Sequence, residues 1–201
     1  MSAGEKLRDG EQQLAIEKLA TLLGESGIDT STWGTGGAKT VAHLYKEICD
    51  GESQMSFGPE GVTRAVRVAW LDVLFFDEQG DVYLLAEDRQ EYRDGRVRRR
   101  QLSSSLGEKL KPDEDPDEAA VRALSEELGA WSYQSLHAIG YERTTHTPDS
   151  YPGLESTYDT YSYVAVLDSA SYKPEGYIEV QADKTNYYTW TKIHSEHVSG
   201  S

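Results

Sequence analysis

The sequence predicts an α/β fold in which a mixed β-sheet has helices packed on it and a short helical extension stands in front. Strand-like runs rich in Val, Leu, Phe, Tyr and Trp lie on both sides of one long amphipathic helix, Pro116–Leu128. Helical periodicity, by contrast, marks the stretch before Gly61. These two observations also set the organisation, with residues 1–60 as a helical extension and 61–201 as the main domain.

Each element has a local reason. Ala15, Leu19, Leu22 and Leu23 recur at helical spacing and predict an amphipathic helix ending at Gly24. A second helix is expected at Lys39–Ile48, where Val41, Leu44, Tyr45 and Ile48 share a face. The intervening Gly34-Thr35-Gly36-Gly37-Ala38-Lys39-Thr40 invites a phosphate-loop reading. It fails, because Ala38 and Trp33 stand where that motif needs glycine and no clear strand precedes it. Val62–Phe76 then reads as a strand, Asp77–Asp81 as a turn and Val82–Glu87 as a second strand. Asp94-Gly95 is a two-residue hairpin signal between Tyr92 and the Arg93–Arg100 segment. Gly107–Asp115 reads as a loop. Asp115 is the candidate N-cap of the long helix, Pro116 suits its first position and Gly129 its end. Further strands are expected at Tyr133–Thr145, Tyr158–Leu167 and Asn186–Ile193.

Composition narrows the function classes. An apolar fraction of 37%, with 13 Tyr and 4 Trp among 201 residues, supports a packed core. The formal charge of −15, from 20 Lys+Arg against 35 Asp+Glu, disfavours extended nucleic acid and anionic membranes as partners. Cys49 is the single cysteine, so neither an internal disulfide nor a multi-cysteine metal site can form. No apolar run is long enough for a membrane span and the N-terminus has no signal-like stretch, so a cytoplasmic protein is expected. The five His are scattered, with only His194 and His197 close together.

The chemistry concentrates in Glu114-Asp115-Pro116-Asp117-Glu118-Ala119-Ala120-Val121-Arg122-Ala123-Leu124-Ser125-Glu126-Glu127-Leu128-Gly129-Ala130. This segment resembles the Nudix box, G-x5-E-x7-R-E-U-x-E-E-x-G-U with U aliphatic. Glu114 falls on its first Glu, Arg122 on the Arg, Leu124 on the aliphatic position, Glu126-Glu127 on the paired Glu and Gly129 on the Gly. Two positions depart from it. Glu108 stands where the box has its first Gly, with Gly107 one residue out of register, and Ala123 replaces the Glu that follows the Arg. The resemblance implies an α/β/α sandwich with a mixed central sheet and a metal-dependent hydrolase acting on a diphosphate linkage of a nucleoside diphosphate derivative. It also implies Mg²⁺ or Mn²⁺ held by Glu126 and Glu127, and a Glu114–Arg122 pair anchoring the loop.

At about 100° per residue, position 123 is expected midway between Glu126 and Glu127 on an acidic helix face, opposite an apolar stripe of Ala120, Val121, Leu124 and Leu128. The missing carboxylate keeps a second class open, a binding or regulatory module that has lost turnover. An unrelated α+β interaction protein is a third, and it requires the match to be coincidence. Arg96, Arg98 and Arg100 alternate along the hairpin strand and are candidates to grip the phosphates of a small ligand. The same arginines can instead balance Glu87, Asp88 and Glu91 on the partner strand. Glu155 is a candidate substrate contact in a loop after the helix, with Glu142, Asp159 and Glu179 as other acids that sequence cannot rank. A homodimer is left open.

Overall fold

The computed structural model describes residues 3–59, 61–99, 104–130, 132–182 and 184–193, with backbone alone for 3–9. In chain order the elements are α1 (Ala3–Glu25), α2 (Val41–Cys49), β1 (Gln54–Gly58), β2 (Gly61–Phe76), β3 (Val82–Tyr92), β4 (Val97–Arg98), β5 (Leu106–Lys109), α3 (Pro116–Leu128), β6 (Ser135–His146), β7 (Ser156–Val166), β8 (Tyr177–Val180) and β9 (Lys184–Ile193).

The strands form one sheet in the order β6-β7-β2-β3-β9-β8, with β1 and β5 also paired to β2, and β4 to β3. It is mixed. The pairings of β2 with β1, β3 and β5, and of β9 with β3 and β8, are antiparallel. Beside β7, however, Arg64 N–H donates to the Glu155 carbonyl and Leu167 N–H to the Leu74 carbonyl, so β2 and β7 run in the same direction.

The chain divides into two compact units. The first holds the described residues through Arg67 together with Leu110–Asp113 and Glu142–Asp159. Its core joins Leu19 and Leu23 of α1 to Leu44 of α2, Trp33, Val62, Tyr151 and Leu154, with Val41, Tyr45 and Ile48 packed against it. Leu22 does not join this face and is 44% exposed, so the buried stripe of α1 is narrower than the sequence suggests. Thr40 caps α2 through a reciprocal box with His43, which confirms a loop and helix start where the glycine-rich stretch tempts a phosphate-loop reading. Beneath α2, Arg64 is nearly fully buried and pairs with Glu47 at 2.7 Å, while Ser53 and Tyr158 share its remaining donors.

The second unit holds Val68–Lys109, Glu114–Tyr141 and the described residues from Thr160 onward. Here α3 buries Ala119, Ala120, Ala123, Leu124 and Leu128 and packs against β5 and β8, while Ala69, Leu71, Val73, Leu85 and Leu106 are buried on β2, β3 and β5. Asp115 caps its start and accepts the Asp117 N–H; Gly129 ends it in the left-handed conformation at φ 62°.

Three expectations need correction. The segment Gly107–Asp115 is not all loop, because Leu106–Lys109 pairs with Val68–Leu71 of β2. Its charged, glycine-bearing sequence has little strand propensity, and the partner strand decides. Gly107 lies opposite Trp70, whose ring occupies the space a Cβ would need. The β3–β4 connection is not a two-residue primed turn either: only Gly95 takes a positive φ (86°), Gly95 N–H donates to the Tyr92 carbonyl and Tyr92 N–H to the Arg96 carbonyl. That is a three-residue loop closing on a glycine bulge. Finally, β3 extends beyond Glu87 to Tyr92, and β1 and β8 are strands beyond those the sequence predicts.

Candidate active site

The site grows from α3. Arg122, whose side chain is 15% exposed, grips Glu114 in a fork, Nε donating to Oε1 at 2.8 Å and Nη2 to Oε2 at 2.9 Å. Nη1 donates to Glu108 at 2.6 Å and more weakly to Glu126 at 3.4 Å, and Nη2 also reaches the Lys109 carbonyl. One guanidinium thus ties the loop before α3 and the strand β5 to the helix with charge-assisted bonds. Glu108, which departs from the Nudix pattern at the glycine position, is an Arg122 partner here.

The paired acids of α3 sit differently. Glu126 is 56% exposed and, with Asp117, Glu118, Val121, Arg122 and Ser125, lines a cavity of about 430 Å³. Glu127 is partly buried and accepts a 2.5 Å hydrogen bond from the Tyr188 hydroxyl of β9. Burial, helped by the nearby charges of Glu179 and Glu108 and opposed by the Tyr188 bond that favours the charged form, pushes its carboxyl up to about 8. Ala123 is fully buried rather than on an acidic face, and Val121 is 40% exposed, so the apolar stripe is rotated from the expected one. A helix lying on a sheet buries more than the stripe that its apolar residues mark out.

Around Tyr188 the sheet carries a buried polar layer. Gln90 of β3 faces Asn186 of β9, which faces Glu179 of β8; in the next row Glu87 faces Tyr188, which faces Tyr177. Asn186 Nδ2 donates to Glu179 at 2.5 Å and Gln90 Nε2 to Glu87 at 3.0 Å. Asn186 is 4% exposed, and its Oδ1 has no hydrogen-bond partner among the described residues. Sequence reasoning missed Gln90, Asn186 and Tyr188. The signal for the last two was available as polar residues at the inward positions of a strand, but the register shift between Glu87 and Arg89 breaks the alternation that would have exposed Gln90.

The remaining candidates lie elsewhere or alone. Arg96 and Arg98 are exposed; Arg96 pairs with Asp94 of its own turn at 2.7 Å and lies over the Tyr92 ring, and Arg98 stands opposite Gln90. Asp88 is bound by Arg89 and Arg99. Arg100, His194 and His197 lie outside the described residues. Glu155 is an exposed residue of the first unit whose carbonyl accepts the Arg64 N–H.

A capped helix on a mixed sheet, clamped to its preceding loop by Glu114 and Arg122, defines a Nudix-type α/β protein. A family model described as the NUDIX domain matches residues 66–195, more than half of the chain. The chain belongs to the Nudix family. Similar solved structures include an Ap4A hydrolase of C. elegans, at 15% identity and a TM-score of 0.34 over 64% of this chain and 80% of that one. A Nudix hydrolase of M. smegmatis, RenU, gives 17% identity and a TM-score of 0.37 over 69% and 79%. The NUDIX domain of Shewanella oneidensis NrtR, solved in complex with ADP ribose, gives 11% and 0.37 over 73% and 81%. A comparison with curated proteins gave no match. No helix among the described residues is long and apolar enough to cross a membrane.

Members of the family generally use divalent metal ions. Among the described residues, no group of three or more His, Cys, Asp or Glu is arranged to hold one. The donor chemistry nevertheless suits a hard cation: Glu127 and Glu179 are oxygen donors, the Glu179 charge helps raise the proton affinity of Glu127, and the Asn186 Oδ1 is a buried oxygen with no partner among the described residues.

Proposed function

We propose that the chain is a Nudix-type hydrolase that cleaves a diphosphate linkage in a small nucleoside diphosphate derivative, with Mg²⁺ or Mn²⁺ as cofactor. The observation that carries this reading is the Arg122 clamp, which holds Glu108, Glu114 and Glu126 on one guanidinium of the helix that also carries Glu127. Glu127 would be the central ligand and Glu126 the outer one; a cation bound there would neutralise the diphosphate and activate the attacking water. Tyr188 orients the Glu127 carboxyl, and Arg122 ties Glu114 and the end of β5 to the helix. Arg96, Arg98 and Arg100, with Glu155, are proposed substrate contacts. The reading keeps residues 1–60 as an extension to a Nudix-like domain at 61–201, and takes the cytoplasm as its setting.

One observation favours a second reading, a binding module without turnover. Ala123 occupies the position of the family's middle carboxylate and is sealed in the core. Hydrolysis assays over a set of nucleoside diphosphate derivatives, with Mg²⁺ and with Mn²⁺, separate the two. Cleavage of at least one compound that disappears in Glu127→Gln is expected. Ligand binding without cleavage of any would establish the module instead.

A further inference from the structure

β6 ends the sheet, and among the described residues no strand pairs with its outer edge. It is 12 residues long and all but three are exposed. Ile139 and Tyr141 leave 59% and 58% of their surface in solvent. Such an edge is a template for another strand unless it is short, bulged, charged or broken by proline. At 12 residues β6 is not short. The strand has no proline, and its only formal charges, Glu142 and Arg143, cancel within a chain of net charge −15. A second copy of this acidic chain therefore meets no net like charge on the strand itself.

We propose that β6 is a homodimer interface at which two copies pair edge to edge, antiparallel, about Gly140. The register follows from symmetry. A two-fold axis through the sheet keeps each residue on the same face in both copies, so opposing residues must differ by an even number of positions. Centring on Glu142 or Arg143 would set like charges directly opposite one another. Centring on Tyr141 sets Ile139 against Arg143, and centring on Ile139 sets Tyr141 against His137. Only the register about Gly140 places Ile139 of each copy against Tyr141 of the other. That pair falls on the face where Tyr141 already packs on Tyr161, with ring centroids 5.2 Å apart. Aromatic and β-branched partners are the favourable cross-strand combination. A Cβ added at Gly140 meets nothing within 4 Å, so the centre of the interface has room.

Light scattering on the purified full chain should give twice the 22.4 kDa chain mass. The Ile139→Lys/Tyr141→Lys variant should be monomeric with an unchanged far-ultraviolet circular dichroism spectrum. Cross-linking tests the register separately, in a Cys49→Ser background because Cys49 is exposed. Gly140→Cys should form a disulfide-linked dimer on mild oxidation, since the two substituted positions face each other. Ala138→Cys should not, since its opposite residue is Glu142. A wild type that remains monomeric at high concentration overturns the proposal, as does a dimer that survives both lysines or cross-links equally well from Ala138→Cys. If the lysine variant fails to fold, the cysteine pair decides alone. None of these outcomes depends on hydrolysis or on metal.

Discussion

Glu127 concentrates the physical tension of the site. Its carboxyl is pushed up to about 8 from an ordinary value of 4.5. Between those values it is neutral in the folded protein and ionised in the unfolded chain, so the folded state binds the extra proton. Stability should therefore fall as pH rises through that window and level off above it. In EDTA, Glu127→Gln should abolish this slope, because the amide cannot ionise but can still accept the Tyr188 hydrogen bond. The variant should gain most over wild type near the upper end of the window. The gain should be a few kcal/mol at most, since each tenfold difference in proton affinity between folded and unfolded chain is worth about 1.4 kcal/mol. Urea denaturation across the window measures it, and parallel curves for the two proteins would show that Glu127 is ionised when folded. At this scale the sequence was informative where the motif spoke and silent elsewhere. Glu114, Arg122, Glu126 and Glu127 were legible from spacing. Gln90, Asn186 and Tyr188 were missed: strand alternation marks the last two, but the register shift in β3 hides Gln90, and its pairing with the distant β9 is not encoded locally.

Among the elements, α3 was legible in full, because its signals are local: Asp115 and Pro116 start it and Gly129 stops it. Its orientation was not. The face that reads as acidic by residue type is divided between solvent and core, with Glu126 exposed and Ala123 sealed against the sheet. This alters the expected effect of restoring the family's residue. On an open acidic face, Ala123→Glu would cost a few tenths of a kcal/mol by like-charge repulsion. At a fully buried position it must overpack the core and desolvate a carboxylate, costing about 1–3 kcal/mol or more. Thermal melts with and without Mn²⁺ distinguish the cases. A mutant that melts near wild type without metal and is stabilised by Mn²⁺ more than wild type would place position 123 at a metal site. β5 shows the reverse limitation: Leu106–Lys109 lacks strand propensity and is made a strand by pairing with β2.

For the whole molecule, the alternation of strand-like runs around one helix was enough to anticipate the mixed sheet, and the box was enough to anticipate the family. The grouping of residues was harder to foresee. Leu110–Asp113 and Glu142–Asp159 belong with the N-terminal helices in one compact unit, while β2, β6 and β7 each contribute to both units. Contacts of this kind depend on long-range pairing that local periodicity does not encode. The proposed function rests on a narrower base than the fold: a cation would have to compete with a proton for the Glu127 carboxyl. Calorimetric titration of Mn²⁺ into wild type, Glu126→Gln and Glu127→Gln at a pH just above 8 puts that competition to the test. Wild type should bind, releasing a proton per cation to an extent that increases as pH is lowered through the Glu127 window. Glu126→Gln should bind more weakly and Glu127→Gln not at all. Wild type that takes up no Mn²⁺, or Glu127→Gln that takes it up as wild type does, would refute the assignment of Glu127 as the central ligand.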